Sequence, residues 1–382
     1  MTSVKQGDSA APDLDPFLTG QSLAKGAAGL ALLHIEHALS EPCAWPVAHA
    51  WMTAATCGPV IASDQAGLFY GAPAISFLAH AAQADGVRRY GSVAETLDQI
   101  VTRAAERRLA AASERLDRGQ AATFAEYDLF YGLTGLAVLF LKCMPASPVL
   151  PAILRYLVRL TEPWPDGRPG WWVSHDPDPL LPTPGGHAGF GMAHGAAGIL
   201  ALLSRSAALG HLVEYQYDAI DRLCDWFDRW RQSSGGGHWW PQWITARELA
   251  VGHIVRVAPP RPSWCYGAVG ICLGDTGRRL WTEQALAACL ANPGPLELIT
   301  DPGLCHGLAG VYQTAWRASR DSLTPAISER LPALASPLLK HAEPALATGL
   351  LDGAVGIALA IRTATCPDSA PKTGWDTCLL IG

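Results

Sequence analysis

The chain has 382 residues, a formal charge of -6 and a pI near 6.0, and only 16% of its residues are charged, against about 25% in an average soluble protein. No basic run accompanies that balance, so the electrostatic footprint of a nucleic-acid binder is missing, and apolar runs such as 133–141 and 196–203 fall short of the roughly 20 residues that span a bilayer. Ten cysteines without the dense framework of a small secreted domain point to a reducing compartment, the cytoplasm, where a special cysteine is a ligand or a catalyst.

The opening "MTSVKQGDSAAPDLDPF" lacks the basic end and apolar stretch of a secretory signal; residues 1–16 read as a disordered polar tail and 17–382 as a single domain. From there a Gly-x-x-small unit leading into an apolar helix recurs. It begins with "LAKGAAGLALL" around Gly26, "LFYGAPAISFL" around Gly71 and "LFYGLTGLAVL" around Gly132. Between the second and third copies, residues 93–116 ("VAETLDQIVTRAAERRLAAASERL") set their charges on one face, the pattern of an amphipathic helix. A stretch rich in Pro, Gly and Trp follows at 164–186 and reads as a loop, as does a second at 235–263, either with short strands. Their tryptophans serve either to plug gaps over the barrel or to grip a peptide at its rim. The fourth copy, "MAHGAAGILAL" around Gly195, lies between those loops. "WCYGAVGICLG" around Gly267, "LCHGLAGVYQT" around Gly307 and "LLDGAVGIALA" around Gly353 complete seven.

The copies are spaced about 54 residues apart on average, room for a pair of helices and their connections. Helices apolar nearly all round are packed on every side, whereas the amphipathic segments between them face water. The pattern predicts an all-α fold, an α/α toroid of seven inner and seven outer helices with the Trp/Pro/Gly-rich loops over one end. An open solenoid would carry polar caps, and the first and last copies are as apolar as the rest.

Counting back from each unit's first glycine, Cys265 and Cys305 share the second position, and His194 and His306 share the first. Equivalent positions of a closed ring face the same end of its axis, so Cys265, Cys305 and His306 form a Cys2His set from adjacent repeats. Three such ligands with an open fourth position describe a catalytic site for one zinc ion. The remaining cysteines read as small buried apolar residues. Two thiolates already offset the dication, so a third thiolate from a substrate would remain nucleophilic, which favours an alkylatable thiol over an activated water.

At these residues the sequence resembles the lanthionine synthetase C-like family, the peptide cyclases of lantibiotic biosynthesis, from about residue 17 to the end. The most specific segments are "RPSWCYG" at 261–267, "LCHG" at 304–307, "MAHG" at 192–195 and "YDLFYGLTG" at 127–135. The resemblance implies the same toroid, zinc on Cys265, Cys305 and His306, and Michael-type addition of a peptide cysteine thiolate to dehydroalanine or dehydrobutyrine. It also places His194, Asp128 and Arg261 near the metal as catalytic candidates. The addition leaves an enolate that must be stabilised and then protonated, and the roles expected are His194 as proton donor or acceptor, Asp128 as its orienting partner and Arg261 as a counter-charge. Asp128 could instead cap the third inner helix and His194 could be a satisfied core histidine; Tyr266 could donate a hydrogen bond or merely pack, and His187 reads as loop.

Without a large dehydratase segment ahead of it, the chain looks like the free-standing type, acting on a dehydrated precursor peptide that carries a leader. A separate dehydratase and an exporter are the implied partners, in the cytoplasm or at a membrane through a biosynthetic complex. Competing readings are addition of glutathione to dehydro-residues, a non-catalytic zinc-stabilised peptide scaffold, and an α/α-barrel glycosidase using carboxylates such as Asp128 and Asp352.

Overall fold

The computed structural model describes residues 20–178, 180–234, 237–255, 259–271, 279–341 and 348–382. Each glycine unit opens an inner helix: α1 (Ala27–Ala38), α3 (Ala72–Ala81), α5 (Leu133–Cys143), α7 (Ala196–Ala208), α9 (Ala268–Ile271), α11 (Leu308–Asp321) and α13 (Ala354–Thr365). Outer helices alternate with them: α2 (Trp45–Ala55), α4 (Gly91–Asp117), α6 (Val149–Leu160), α8 (Gln216–Trp230), α10 (Arg279–Ala291) and α12 (Leu331–Leu339). Six outer helices stand among the described residues. The tail assigned to residues 1–16 lies outside them.

Composition explains which helices go inside. α3 buries every residue except His80, and that side chain, with Ser76, is tied to Asp98 of α4. By contrast α4 buries chiefly Ala94, Leu97, Val101, Ala104, Ala105 and Ala112 along one stripe and leaves most of its charges, though not Asp98, Arg108 and Arg115, to water. Neighbouring inner helices pack together in order from α9 through α11 and α13, which meets α1, and on through α3 and α5 to α7.

A chain of backbone hydrogen bonds just ahead of the helices seals the same circle. The amide of Leu23 donates to Phe69 O (3.0 Å), Leu129 to Ala193 O (3.1 Å), Ala193 to Cys265 O (3.4 Å), Cys265 to Cys305 O (3.2 Å), Cys305 to Leu351 O (2.9 Å) and Leu351 to Ala24 O (3.5 Å). Between the second and third units the tie is a side chain: Arg108 of α4 donates to the carbonyls of Ala66 (2.7 Å), Ala125 (2.8 Å) and Tyr131. The Phe69 and Phe130 rings meet edge to face there at 4.7 Å.

The second glycine of each unit makes this linkage possible. A Cβ on Gly135, Gly270, Gly310 or Gly356 would lie 1.9–2.0 Å from the carbonyl oxygen six residues earlier, on the loop that carries the ring. Ala74 is tolerated in the second unit, whose first glycine, Gly71, turns through φ +69 while Gly26, Gly132, Gly195, Gly307 and Gly353 are extended.

The bore is filled from the far end by the carboxy-terminal segment. Its 3-10 turn Trp375–Leu379 meets inner helices on several sides: Arg317 and Gln313 of α11 bind the buried Asp376, Lys142 of α5 reaches Gly374 O, and the Trp264 indole donates to Leu379 O. The two long loops do contain short strands. β1 (His187–Gly189) pairs antiparallel with β4 (Trp243–Thr245), and β2 (Gln232–Ser234) pairs with β3 (Gly237–Trp239). Trp171, Trp172 and Trp240 are buried, with Trp172 donating to Gly185 O and Trp240 to Phe227 O, so these tryptophans plug the structure instead of forming a rim. No described helix is long and apolar enough to cross a membrane.

Candidate active site

The ring of loops delivers its reactive side chains to one mouth. Cys265 and Cys305 are joined through their own main chains, the Cys265 amide on Cys305 O, and the buried sulfurs sit with the His306 imidazole so that all three ligand atoms lie within 4.8 Å of one another. Cys265 Sγ and His306 Nδ1 are 3.4 Å apart. Tetrahedral zinc with Zn–S near 2.3 Å and Zn–N near 2.0 Å separates its ligand atoms by about 3.5–3.8 Å. Two thiols and one imidazole at these spacings fit that ion with movements of a few tenths of an ångström to an ångström.

The two thiols are unequal. Cys265 is held well below the ordinary thiol range because the Cys305 thiol hydrogen-bonds to it, with His306 and Ser263 adding to the effect against the opposing cost of burial. The same hydrogen bond, together with burial, pushes Cys305 up. His306 is raised, chiefly by its hydrogen bond to the Cys265 sulfur. A dication binds such thiolates and displaces the protons that the site otherwise holds.

His194 stands in the neighbouring unit, linked to the cysteines by the Ala193 amide on Cys265 O and by the Tyr266 ring, whose centroid lies 6.1 Å from the imidazole. Its Nδ1 meets Asp128 Oδ2 at 2.6 Å. An ionised carboxylate only accepts, so Nδ1 carries the proton and Nε2 is the nitrogen left to meet a substrate. Asp128 is fully buried, and its other oxygen accepts the amides of Tyr131 (2.7 Å) and Gly132 (2.9 Å) at the start of α5. The turn that leads into α5 and the histidine anchor therefore depend on the same residue. Arg261 is half-buried four residues before Cys265, close enough for its charge to oppose protonation of His306. Burial raises the Tyr266 phenol, which stays protonated as a donor.

Two contributors, Phe124 and Tyr127, escape the sequence reading, and a third, Asp352, enters it only as a glycosidase carboxylate. Phe124 stacks on His194 with centroids 5.1 Å apart, the Tyr127 hydroxyl donates to His194 O at 3.1 Å, and Asp352 Oδ1 stands 3.4 Å from His306 Nε2. Asp352 carried a signal, since it occupies the same slot before Gly353 that His306 occupies before Gly307. His187 is strand rather than loop: it begins β1 and is fully buried.

The family model of lanthionine synthetase C-like proteins matches residues 18–380. The chain belongs to that family. No curated protein sequence matches it. Among solved structures it is similar to a nisin cyclase, with a TM-score of 0.76 and 19% identity over 95% of this chain and 93% of that one. At that identity the likeness shows the fold, an α/α toroid, which this lanthionine synthetase C-like chain shares.

Proposed function

We propose that this chain is a zinc-dependent lanthionine and methyllanthionine cyclase, adding peptide cysteine thiolates to dehydroalanine or dehydrobutyrine in a lantibiotic-type precursor. One observation carries the reading: a Cys2His cluster and a carboxylate-anchored histidine share one mouth of the ring. Cys265, Cys305 and His306 would hold the ion, whose contribution when bound is to keep an incoming peptide thiol deprotonated yet nucleophilic.

The chain's own residues account for the remaining steps. As the sulfur bonds to the β-carbon, the C=C π pair moves onto the α-carbon and its carbonyl. The Arg261 guanidinium offsets that enolate charge. His194 Nε2 delivers the proton to the α-carbon, having taken one from the thiol, while Asp128 holds Nδ1–H and favours the charged imidazole between those events. Tyr266 offers a hydroxyl beside His194. Atoms balance with nothing gained or lost, so ring closure is an isomerisation.

A chemistry that consumes dehydro-residues needs a dehydratase to supply them, and the leader-bearing product needs an exporter. All nine described cysteines are free, which suits action in the cytoplasm or in a membrane-held complex on its reducing side. The test is metal analysis of the purified protein combined with incubation with a dehydrated cysteine-bearing peptide. One zinc per chain and loss of the free thiol at unchanged mass support the reading. A mass increase equal to glutathione, when that thiol is present, would transfer the function to intermolecular addition, and zinc without turnover would leave a peptide-binding scaffold.

A further inference from the structure

His306 has two ring nitrogens in different surroundings. Nδ1 lies 3.4 Å from Cys265 Sγ, on the sulfur side, and Nε2 lies 3.4 Å from Asp352 Oδ1. The loop bearing Asp352 is fixed to the loop bearing the ligands by two backbone bonds, Leu304 N and Cys305 N both donating to Leu351 O at 2.7 and 2.9 Å. Gly303 permits the approach, since a Cβ there would lie 3.1 Å from the Asp352 Cα. Asp352 is therefore held beside His306 by the main chain, and its half-exposed side chain is free to close on the imidazole.

We propose that Asp352 is a positioning residue for the metal site, accepting the Nε2 proton of His306 so that the Nδ1 lone pair faces the two sulfurs. A carboxylate on the outer nitrogen fixes both tautomer and ring plane of a ligating histidine and raises its basicity. The inference rests on the metal reading above. It adds a fourth residue, from the seventh unit, to a site whose ligands come from the fifth and sixth.

Zinc affinity measured by competition with a chromophoric chelator tests it, using the full chain and the variants D352A and D352N, with circular dichroism of each metal-free protein to verify the fold. D352A is expected to bind zinc about 10–100-fold more weakly. D352N, whose amide oxygen still accepts Nε2–H, is expected to lose less. Wild-type affinity in D352A, or equal losses in both variants, would overturn the anchor. Absence of stoichiometric zinc in the wild-type chain would instead overturn the metal reading itself.

Discussion

Asp128 Oδ2 holds the Nδ1 proton of His194 at 2.6 Å while Oδ1 accepts the amides of Tyr131 and Gly132. The two oxygens can be separated by mutation. Asp128→Asn keeps an oxygen for the Tyr131 and Gly132 amides, which places the amide nitrogen, a donor, against His194 Nδ1. The histidine must then shift to its other tautomer or lose its anchor. Cyclisation is expected to fall by about 10²–10⁴-fold while the melting temperature changes little. Asp128→Ala leaves the Tyr131 and Gly132 amides without their acceptor as well, at a cost of about 1–3 kcal/mol of stability. Equal cyclisation rates in D128N and wild type would remove the dyad from the mechanism.

Cys305 distinguishes catalyst from scaffold. The ring of loops runs through its main chain, Cys305 N on Leu351 O and Cys265 N on Cys305 O, and neither bond involves the sulfur. Cys305→Ala should therefore fold, with metal-free unfolding free energy within about 2 kcal/mol of wild type, while zinc content and thioether formation are lost. The comparison must be made in chelator, because bound zinc stabilises the native state by mass action. A metal-free C305A that is unfolded would favour the scaffold.

The glycine frame makes a paired prediction. Gly310→Ala puts a methyl group 1.9 Å from Leu304 O, and that carbonyl directly precedes the Cys305 ligand. The loop must move, so a loss of more than about 2 kcal/mol in urea unfolding and weaker zinc binding are expected together. Ala74→Gly, at the equivalent position of the unit whose loop already turns differently, should cost only the helix-propensity difference of about 1 kcal/mol.

That frame is why the toroid was legible in the sequence: a backbone contact that disfavours Cβ leaves a second glycine in six of the seven units, and register then aligns Cys265 with Cys305. What depends on non-local side-chain packing left no such mark. Whether Trp171 and Trp240 plug or grip is settled by the β1–β4 pairing, which joins residues 187 and 245 across the two loops. Arg108 looked like one more charge on an amphipathic helix, yet it bridges the seam between the second and third units where the other junctions use a backbone amide. The link between Asp128 and His194 spans 66 residues, and only the resemblance connected them.

His187 gives the fold a dependence on pH. Burial, with the neighbouring His175 adding to it, lowers this imidazole to about 4 from an ordinary 6.5. Thr183 Oγ1 donates to Asp176 at 3.0 Å, so it accepts from His187 Nδ1 at 3.4 Å, and Nε2 has no partner among the described residues. Between pH 6.5 and 4 the unfolded chain therefore binds a proton that the native state refuses. Stability from this residue is complete above about pH 6.5 and is lost as pH falls toward 4, by at most about 3 kcal/mol. His187→Gln, which cannot titrate, should be less stable than wild type at pH 7, with a deficit that shrinks as the solution is acidified to pH 4.5. Urea unfolding of both proteins across that range measures the difference directly. Parallel stability curves would mean that His187 accepts its proton within the native fold, and that the wall behind Phe124 and His194 opens to water.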